Sequence, residues 1–348
     1  MDRDHGRAPN RAQPHDDPHR DSPLRLRVGV VVIGRNEGER LTRALRSIPA
    51  GVPSVYVDSA SSDDSVSRAE ALGVEAIGIS PPLSAARARN VGAEFLRNAN
   101  VDWIQFLDGD STLDPKWLEH AGARLDREAE IMVLAGAQSE RSHECVFTRL
   151  FDIELDRAPG EVDSVGGNAL YQARAFHAVG GFDATLVAGE EAELCARLRA
   201  RGGRVVRDAA PMAEHDAGNL RPRDWWRRAV RTGHAYCDGA ARTADAVPRG
   251  LRRFVLSRLV WSVLLPALAI GAIPLTEGLS ATLLALYPIQ AVRIGRSFRA
   301  GRPLNDRVLY GLATVAGTLP ELWGATRWRV AHLRRSSSTA HFEKPAAP

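Results

Sequence analysis

Trp103-Ile104-Gln105-Phe106-Leu107-Asp108-Gly109-Asp110 reads as a buried strand that runs into two carboxylates. Trp103, Ile104, Phe106 and Leu107 are bulky, β-favouring side chains. The run stops at Asp108-Gly109-Asp110, where glycine lets the backbone turn sharply. Two acids one residue apart at a strand end make a hard-oxygen site, suited to Mg²⁺ or Mn²⁺ bridging phosphate oxygens. Elsewhere such a pair is an ordinary solvated turn. In open α/β sheets, however, ligands collect at the carboxyl ends of the strands.

Upstream, the chain alternates strand and helix. Val28-Gly29-Val30-Val31-Val32-Ile33 is a continuous apolar run, as expected of a parallel strand covered on both faces, and Gly34-Arg35-Asn36-Glu37 turns after it. Leu41, Ala44, Leu45 and Ile48 recur at helical spacing. Val55-Tyr56-Val57 is a second strand ending at Asp58, and Val74 to Ile79 a third, with a helix through Val66, Ala69 and Leu72 between them. A helix from Ser84 to Leu96 carries Arg87, Arg89, Asn90 and Gly92 near its start. Asp114-Pro115-Lys116 opens another, with Asp as cap and Pro at the first position. This alternation predicts an α/β fold with a mostly parallel, doubly wound sheet.

Downstream, Met132 to Ala135 reads as a strand. Val165-Gly166-Gly167-Asn168-Ala169-Leu170-Tyr171 carries two glycines that imply close approach of backbone to a ligand or a neighbouring strand. Gly180-Gly181-Phe182-Asp183 is a turn, Glu190 to Arg201 a helix entered by Gly189-Glu190-Glu191, and Arg204-Val205-Val206 a short strand leading to Ala213-Glu214-His215.

The 348 residues can hold one large domain and a smaller module, and the formal net charge is +4. Lys116 and Lys344 are the only lysines, so the basic charge is arginine, whose planar fork suits phosphate. Cys145, Cys195 and Cys237 lie far apart, with neither metal spacing nor an even disulfide framework, which fits a reducing compartment. Residues 1–25 are rich in Asp, Arg, His and Pro and read as a disordered tail without an apolar signal-peptide region; His5, His15 and His19 fall in it.

Taken in order, these pieces resemble the family 2 glycosyltransferases of the GT-A fold, a Rossmann-like sheet with flanking helices. The resemblance covers roughly residues 28–240. Val30-Val31-Val32-Ile33-Gly34-Arg35-Asn36-Glu37 looks like the family's first strand and turn, and Val57-Asp58 with Ser61-Ser62-Asp63 like its nucleoside-binding loop. Arg89-Asn90-Val91-Gly92 resembles the helix start that faces the diphosphate, and Asp108-Gly109-Asp110 the Asp-x-Asp metal motif. Gly166-Gly167-Asn168 and Gly180-Gly181-Phe182-Asp183 are similar to further family motifs, and Gly189-Glu190-Glu191 falls where the family usually has Glu-Asp.

The resemblance implies transfer of a sugar from a nucleotide diphosphate to a hydroxyl with inversion. It implies nucleotide contacts from Asp58, Arg35, Arg89 and Asp108, and a Mg²⁺ or Mn²⁺ held by Asp110 and Asp108 with His215. Glu191 would be the general base, with Glu190 or Glu193 as alternatives. The acceptor side would fall to Gly167, Asn168, Trp225 and Trp226. The residues themselves agree. A leaving nucleoside diphosphate needs a cation and arginine, and an attacking hydroxyl needs a carboxylate within hydrogen-bond reach. Two departures stand out: Ser59 follows Asp58 where the family pairs acids, and Glu191 stands where Asp is commoner.

After residue 220 the composition changes. Arg221, Arg223, Arg227, Arg228 and Arg231 surround Trp225 and Trp226, a pattern that suits an anionic lipid surface better than nucleic acid. From Leu259 to Val292 the only charge is Glu277, which divides the run into halves shorter than the roughly 20 residues a spanning helix needs. Arg249, Arg252, Arg253 and Arg258 flank one end and Arg293, Arg296, Arg299 and Arg302 the other, so both ends are expected on the cytoplasmic side. A tight two-span hairpin and a re-entrant loop both satisfy this, as does the buried helical hairpin of a soluble subdomain. Val308 to Leu319 reads as an interfacial helix ending at Pro320-Glu321.

The expected organisation is therefore a tail over 1–25, a GT-A domain over 26–245, a membrane-associated helical module over 246–330 and a flexible tail over 331–348. The acceptor is expected to be a lipid-linked or envelope glycan at the cytoplasmic face of the membrane. The same residues also fit a soluble transferase for a small acceptor, or a non-catalytic scaffold that binds sugar nucleotides.

Overall fold

The apolar run read as the first strand, β1 (Val28–Gly34), is buried along nearly its whole length, as it must be with helices on both faces. It pairs in parallel with β2 (Ser54–Asp58) on one side and β4 (Trp103–Asp108) on the other, and β3 (Glu75–Gly78) extends the sheet beyond β2. The computed structural model describes residues 26–142, 144–186, 188–218, 220–242, 247–298 and 301–340, so the tail expected over 1–25 lies outside the described residues. The remaining strands are β5 (Ser111–Leu113), β6 (Ile131–Glu140), β7 (Gly160–Glu161), β8 (Ala169–Gln172) and β9 (Arg204–His215). The sheet order is β3-β2-β1-β4-β8-β6-β9-β5, with β7 against β9.

Only the first half of the sheet is parallel throughout. β8 enters antiparallel to both β4 and β6, β6 and β9 are parallel, and β5 and β7 are antiparallel to β9. The expected mostly parallel sheet is thus a mixed one, because the chain returns through the four-residue β8 instead of a helical crossover. The segment expected as a short strand over Arg204 to Val206 is a single twelve-residue strand reaching His215. Its partners are Ser111 on one side and Glu140 on the other, and this sets the position of His215.

Helices α1 (Glu39–Arg46), α2 (Ser65–Ala71), α3 (Ala85–Phe95), α4 (Trp117–Leu125), α5 (Val146–Leu155), α6 (Ala173–Ala178) and α7 (Glu190–Ala200) flank the sheet. α4 starts two residues later than its Asp-Pro signal predicts, and Asp114 instead accepts from the backbone N–H of Lys116 at 2.8 Å. The polar Gln105 is tolerated in the middle of β4 because its amide oxygen accepts from the Trp117 indole at 2.8 Å.

α3 lies against β1 through Gly92, where an added Cβ would meet Val31 Cγ1 at 2.3 Å. Gly92→Ala gains up to about 1 kcal/mol of helix propensity. It forces a β-branched neighbour and its strand to move, which costs about 1–3 kcal/mol. Since the tightest contact is with a β-branched side chain on a buried strand, urea melts are expected to show a net loss of up to about 2 kcal/mol.

Beyond the sheet, α8 (Pro222–Arg242) and α9 (Val247–Leu259) lead through a π-helical turn, Val260–Leu264, into α10 (Leu265–Gly271) and α11 (Ile273–Thr276). The chain reverses at Glu277-Gly278, both in the left-handed region, and comes back as a 3-10 segment, Leu279–Ala285, and α12 (Leu286–Ser297). Among the described residues, one helix is long and apolar enough to cross a membrane, Leu251–Gly271. The return limb is broken and shorter, so the apolar run does not form two matched spans.

The last helix, α13 (Leu304–Ala340), passes through Pro320 instead of ending there. Packing on both sides of the proline explains this. Thr318 bonds Ser262 at 3.1 Å, and Glu321 pairs with Arg258 at 2.7 Å. The helix therefore takes up residues 331–340 of the expected tail, and 341–348 lie outside the described residues.

Candidate active site

The parallel register places Asp108 beside Ile33 at the carboxyl end of the sheet, and the turn through Gly109 carries Asp110 to the start of β5. That turn is held by Asn168. Its side-chain oxygen accepts from the Asp108 backbone N–H at 2.7 Å, while its amide donates to Gln138 at 2.9 Å and Ser111 at 3.0 Å. The Asn168 side chain, expected on the acceptor side, is therefore committed to shaping the Asp-Gly-Asp turn.

A cavity of about 520 Å³ opens over this turn. Asp108, Asp110, Glu191 and His215 all line it, together with Gly167 and Asn168. Its far wall comes from α5 and α8, through Phe147, Phe151, Trp225, Arg228 and Arg231. Donor-side and acceptor-side groups named from sequence thus share one space.

Arg89 ties the site together. It is only 3% exposed, and its guanidinium reaches Asp108 at 3.0 Å, Glu190 at 3.1 Å and Glu191 at 3.2 Å. Burial alone would lower its pKa, but the three carboxylates hold it above the ordinary arginine value. Gly167 is required by this arrangement, since a Cβ there would lie 2.2 Å from the Arg89 guanidinium. Arg89→Met leaves three clustered carboxylates without a counter-charge. It is expected to lower the unfolding free energy by about 3–5 kcal/mol in urea melts at neutral pH.

Of the three acids that open α7, only Glu191 lines the cavity. Glu190 is buried behind it against Arg89, and Glu193 is taken by Arg197 at 2.6 Å. Burial pushes the Glu191 carboxyl up; Arg89 opposes this, Glu190 adds to it, and the net shift is upward.

His215 stands between two acids, with Nε2 3.3 Å from Asp110 and Nδ1 2.7 Å from Glu140. Burial would lower its pKa, but hydrogen bonds and charge from Asp110 and Glu140 push it up to about 10. Asp110 is raised by burial and lowered more by His215 and Arg40, so its carboxyl sits below its usual range. The Phe151 ring stacks on the imidazole with centroids 4.6 Å apart.

Among the described residues, no three His, Cys, Asp or Glu side chains converge into a closed metal cage. The donor set nevertheless fits a hard divalent cation. Mg²⁺ and Mn²⁺ sites in phosphate chemistry use one or two carboxylates and take their other ligands from phosphate and water. Asp108 and Asp110 supply those carboxylates on the cavity wall.

Several site residues named from sequence do not line the cavity: Arg89, expected at the nucleotide, and Glu190 are buried behind its wall against each other, and Asp58, Arg35 and Trp226 lie apart from it. Asp58 is buried at the end of β2, where Tyr56 donates to one oxygen and the Ser61 backbone N–H to the other, each at 2.8 Å. Its carboxylate closes a turn, and it does not line the cavity. Arg35 is exposed on the turn after β1 and also lies off the cavity wall. Trp226 lines a separate groove with Trp323 and Arg327, because consecutive helical residues point about 100° apart and Trp225 alone faces the site.

Conversely, Glu140, Gln138, Phe147 and Phe151 shape the site and carry no local signal in the sequence. They lie on the long end of β6 and on α5, and only the fold brings them to the Asp-Gly-Asp turn.

Known proteins resemble this chain in sequence and in fold. Residues 29–179 match the model of glycosyl transferase family 2. The pre-mycofactocin glycosyltransferases of two strains of Mycobacterium tuberculosis are each 29% identical over 240 residues, covering 64% of this chain. The chain spans about half, 49%, of the length of those curated relatives. In three dimensions it resembles a mannosyltransferase from Pyrobaculum calidifontis, solved with GDP-Man and Mn²⁺, with a TM-score of 0.55 at 18% identity over 86% of this chain and 88% of that one. That likeness concerns the fold. With residues 29–179 matched in sequence and the fold matched in space, the chain is similar to the family 2 glycosyltransferases and has a GT-A-like fold.

Proposed function

We propose that the protein is a metal-dependent inverting transferase, moving a sugar from a nucleotide-diphosphate donor to an acceptor hydroxyl at the cytoplasmic face of a membrane. The observation that carries this reading is the shared cavity: Asp108 and Asp110 line it together with Glu191, and Arg89 bonds to both Asp108 and Glu191. Asp110 and Asp108, with His215, would hold the cation. When bound, Mg²⁺ or Mn²⁺ neutralises charge on the departing diphosphate. Glu191 takes the proton of the acceptor hydroxyl as its oxygen bonds to the anomeric carbon. The bond from that carbon to the diphosphate breaks on the opposite face, and the nucleoside diphosphate leaves with the electron pair. Arg89 keeps Glu191 oriented and balances the charge of the carboxylates around it. The mannosyltransferase neighbour, solved with GDP-Man and Mn²⁺, supports a nucleotide-sugar donor.

The decisive experiment incubates the protein with a panel of nucleotide sugars and Mn²⁺ and follows nucleoside diphosphate release. Release from one donor, abolished by chelation, is expected. No release from any donor, with and without lipid extract as acceptor source, overturns the reading.

The membrane part rests on the helical module. Leu264 is 52% exposed, Leu268 58%, Ile270 61%, Leu275 87% and Leu279 71%, a continuous apolar lobe without charge apart from Glu277. Arg228, Arg231 and Trp225 line the cavity wall nearest this module, which favours an anionic, lipid-linked acceptor over a small soluble one. The protein is expected to sediment with membranes and to resist high-salt extraction. Recovery of active protein in the detergent-free soluble fraction would favour the small-acceptor alternative.

A further inference from the structure

The contacts behind His215 continue out of the cavity and into the helical module. Glu140 ends β6 opposite His215 in the sheet, and its side chain is 0% exposed. One carboxylate oxygen lies 2.7 Å from His215 Nδ1, and the other accepts from the backbone N–H of Ala217 at 3.0 Å. Glu140 does not line the cavity. Its own backbone N–H donates to Asp152 on α5 at 3.1 Å. The other Asp152 oxygen accepts from Arg302 at 2.8 Å, and Arg302 also binds Asp156 at 2.6 Å. Arg302 lies in the turn between α12 and α13. Asp306, on the first turn of α13, pairs with Arg149 of α5 at 2.6 Å. Two arginines and three aspartates thus clamp α5 to the module, and α5 also supplies the Phe151 ring stacked on His215.

We propose that Glu140 is the positioning residue of the cation site, and that Arg302 keeps it in place from the helical module through Asp152. The inference rests on the cation reading of Asp110 and His215 given above. An imidazole has two distinct nitrogens, and the partner of one decides where the other points. Glu140 at Nδ1 turns Nε2 toward Asp110, where it stands at 3.3 Å. Burying a carboxylate is costly unless its oxygens are satisfied, so a fully enclosed Glu140 holds one ring orientation and resists others. The Asp152 link makes that orientation depend on how α5 is seated. Arg302 and Arg149 make the seating of α5 depend on the module. The site is therefore expected to bind its cation well only when the module is docked.

The test uses the full chain in detergent. Mn²⁺ binding is read from the electron paramagnetic resonance signal of free Mn²⁺, in separate titrations with UDP and GDP, and thermal melting is recorded alongside. Glu140→Gln keeps the side-chain volume and is expected to weaken Mn²⁺ binding about 10- to 100-fold. Arg302→Ala, at a partly exposed position, is expected to weaken it roughly 2- to 30-fold, with Arg302→Lys recovering part of the loss. If Glu140→Gln fails to fold, Arg302→Ala decides alone. Wild-type Mn²⁺ affinity in the folded variants overturns the proposal, and so does a lowered melting temperature with unchanged affinity, which marks a plain structural brace. If the unmutated protein binds no Mn²⁺ with either nucleotide, the cation reading itself fails and this inference falls with it.

Discussion

Asp110→Asn is expected to lower kcat/KM by about 10³-fold while leaving the protein folded. The substitution changes one oxygen to an amide and keeps the shape of the turn. Asn168 secures that turn through the Asp108 backbone, independently of the Asp110 side chain. What is lost is charge. In the folded chain the Asp110 carboxyl is held ionised by His215 and Arg40 at the rim of the cavity, where a cation and the departing diphosphate need a fixed negative partner. Removing one preorganised electrostatic group from a transfer site costs about 10²–10³ in rate, and losing the cation with it places this variant at the upper end. The measurement is nucleoside diphosphate release across a Mn²⁺ titration. A scaffold that only binds sugar nucleotides would show no turnover to lose. A variant with wild-type turnover at low Mn²⁺ would remove Asp110 from the chemistry.

Glu191→Gln is expected to cut kcat by about 10²–10⁴-fold with little change in donor KM. Glutamine keeps the hydrogen bond from Arg89 but cannot take a proton. Glu190→Gln is the control. Glu190 is buried against Arg89 and does not line the cavity, so its loss should act mainly on stability. The pH profile carries the sign. A general base works unprotonated, so the rate falls as pH drops through its pKa. Burial raises that pKa, with Glu190 adding to it, so the acid limb of kcat/KM lies above the ordinary carboxylate range. The same limb should vanish in Glu191→Gln. An unchanged acid limb in that variant would assign the base elsewhere.

Much of the sheet is readable from local pattern. The runs at Val28 to Ile33, Val55 to Val57 and Trp103 to Leu107 are apolar stretches that stop at polar turns, and a buried parallel strand leaves little other choice. The acids at their ends follow from the same reading. Asp108, Asp110 and Glu191 do meet in one cavity, because strand ends and the N-terminus of α7 converge on the same edge of the sheet.

Tertiary structure decided the rest, and in each case for a contact-dependent reason. Asp58 sits at a strand end like Asp108, yet the hydroxyl of Tyr56 and the backbone of Ser61 satisfy it, and no pattern in the sequence announces that. Trp225 and Trp226 look equivalent in a list of residues, and the helical rotation between them puts one in the cavity and the other in a separate groove. Pro320 reads as a helix stop, and packing of α13 on both sides of it overrides the local preference. Glu140 shows the limit most clearly. The chain by itself determined that carboxylates would gather at the sheet's edge. Which buried acid would orient His215, and through which arginine of a distant helix pair, depended on contacts between residues 75 and 150 positions apart that only folding creates.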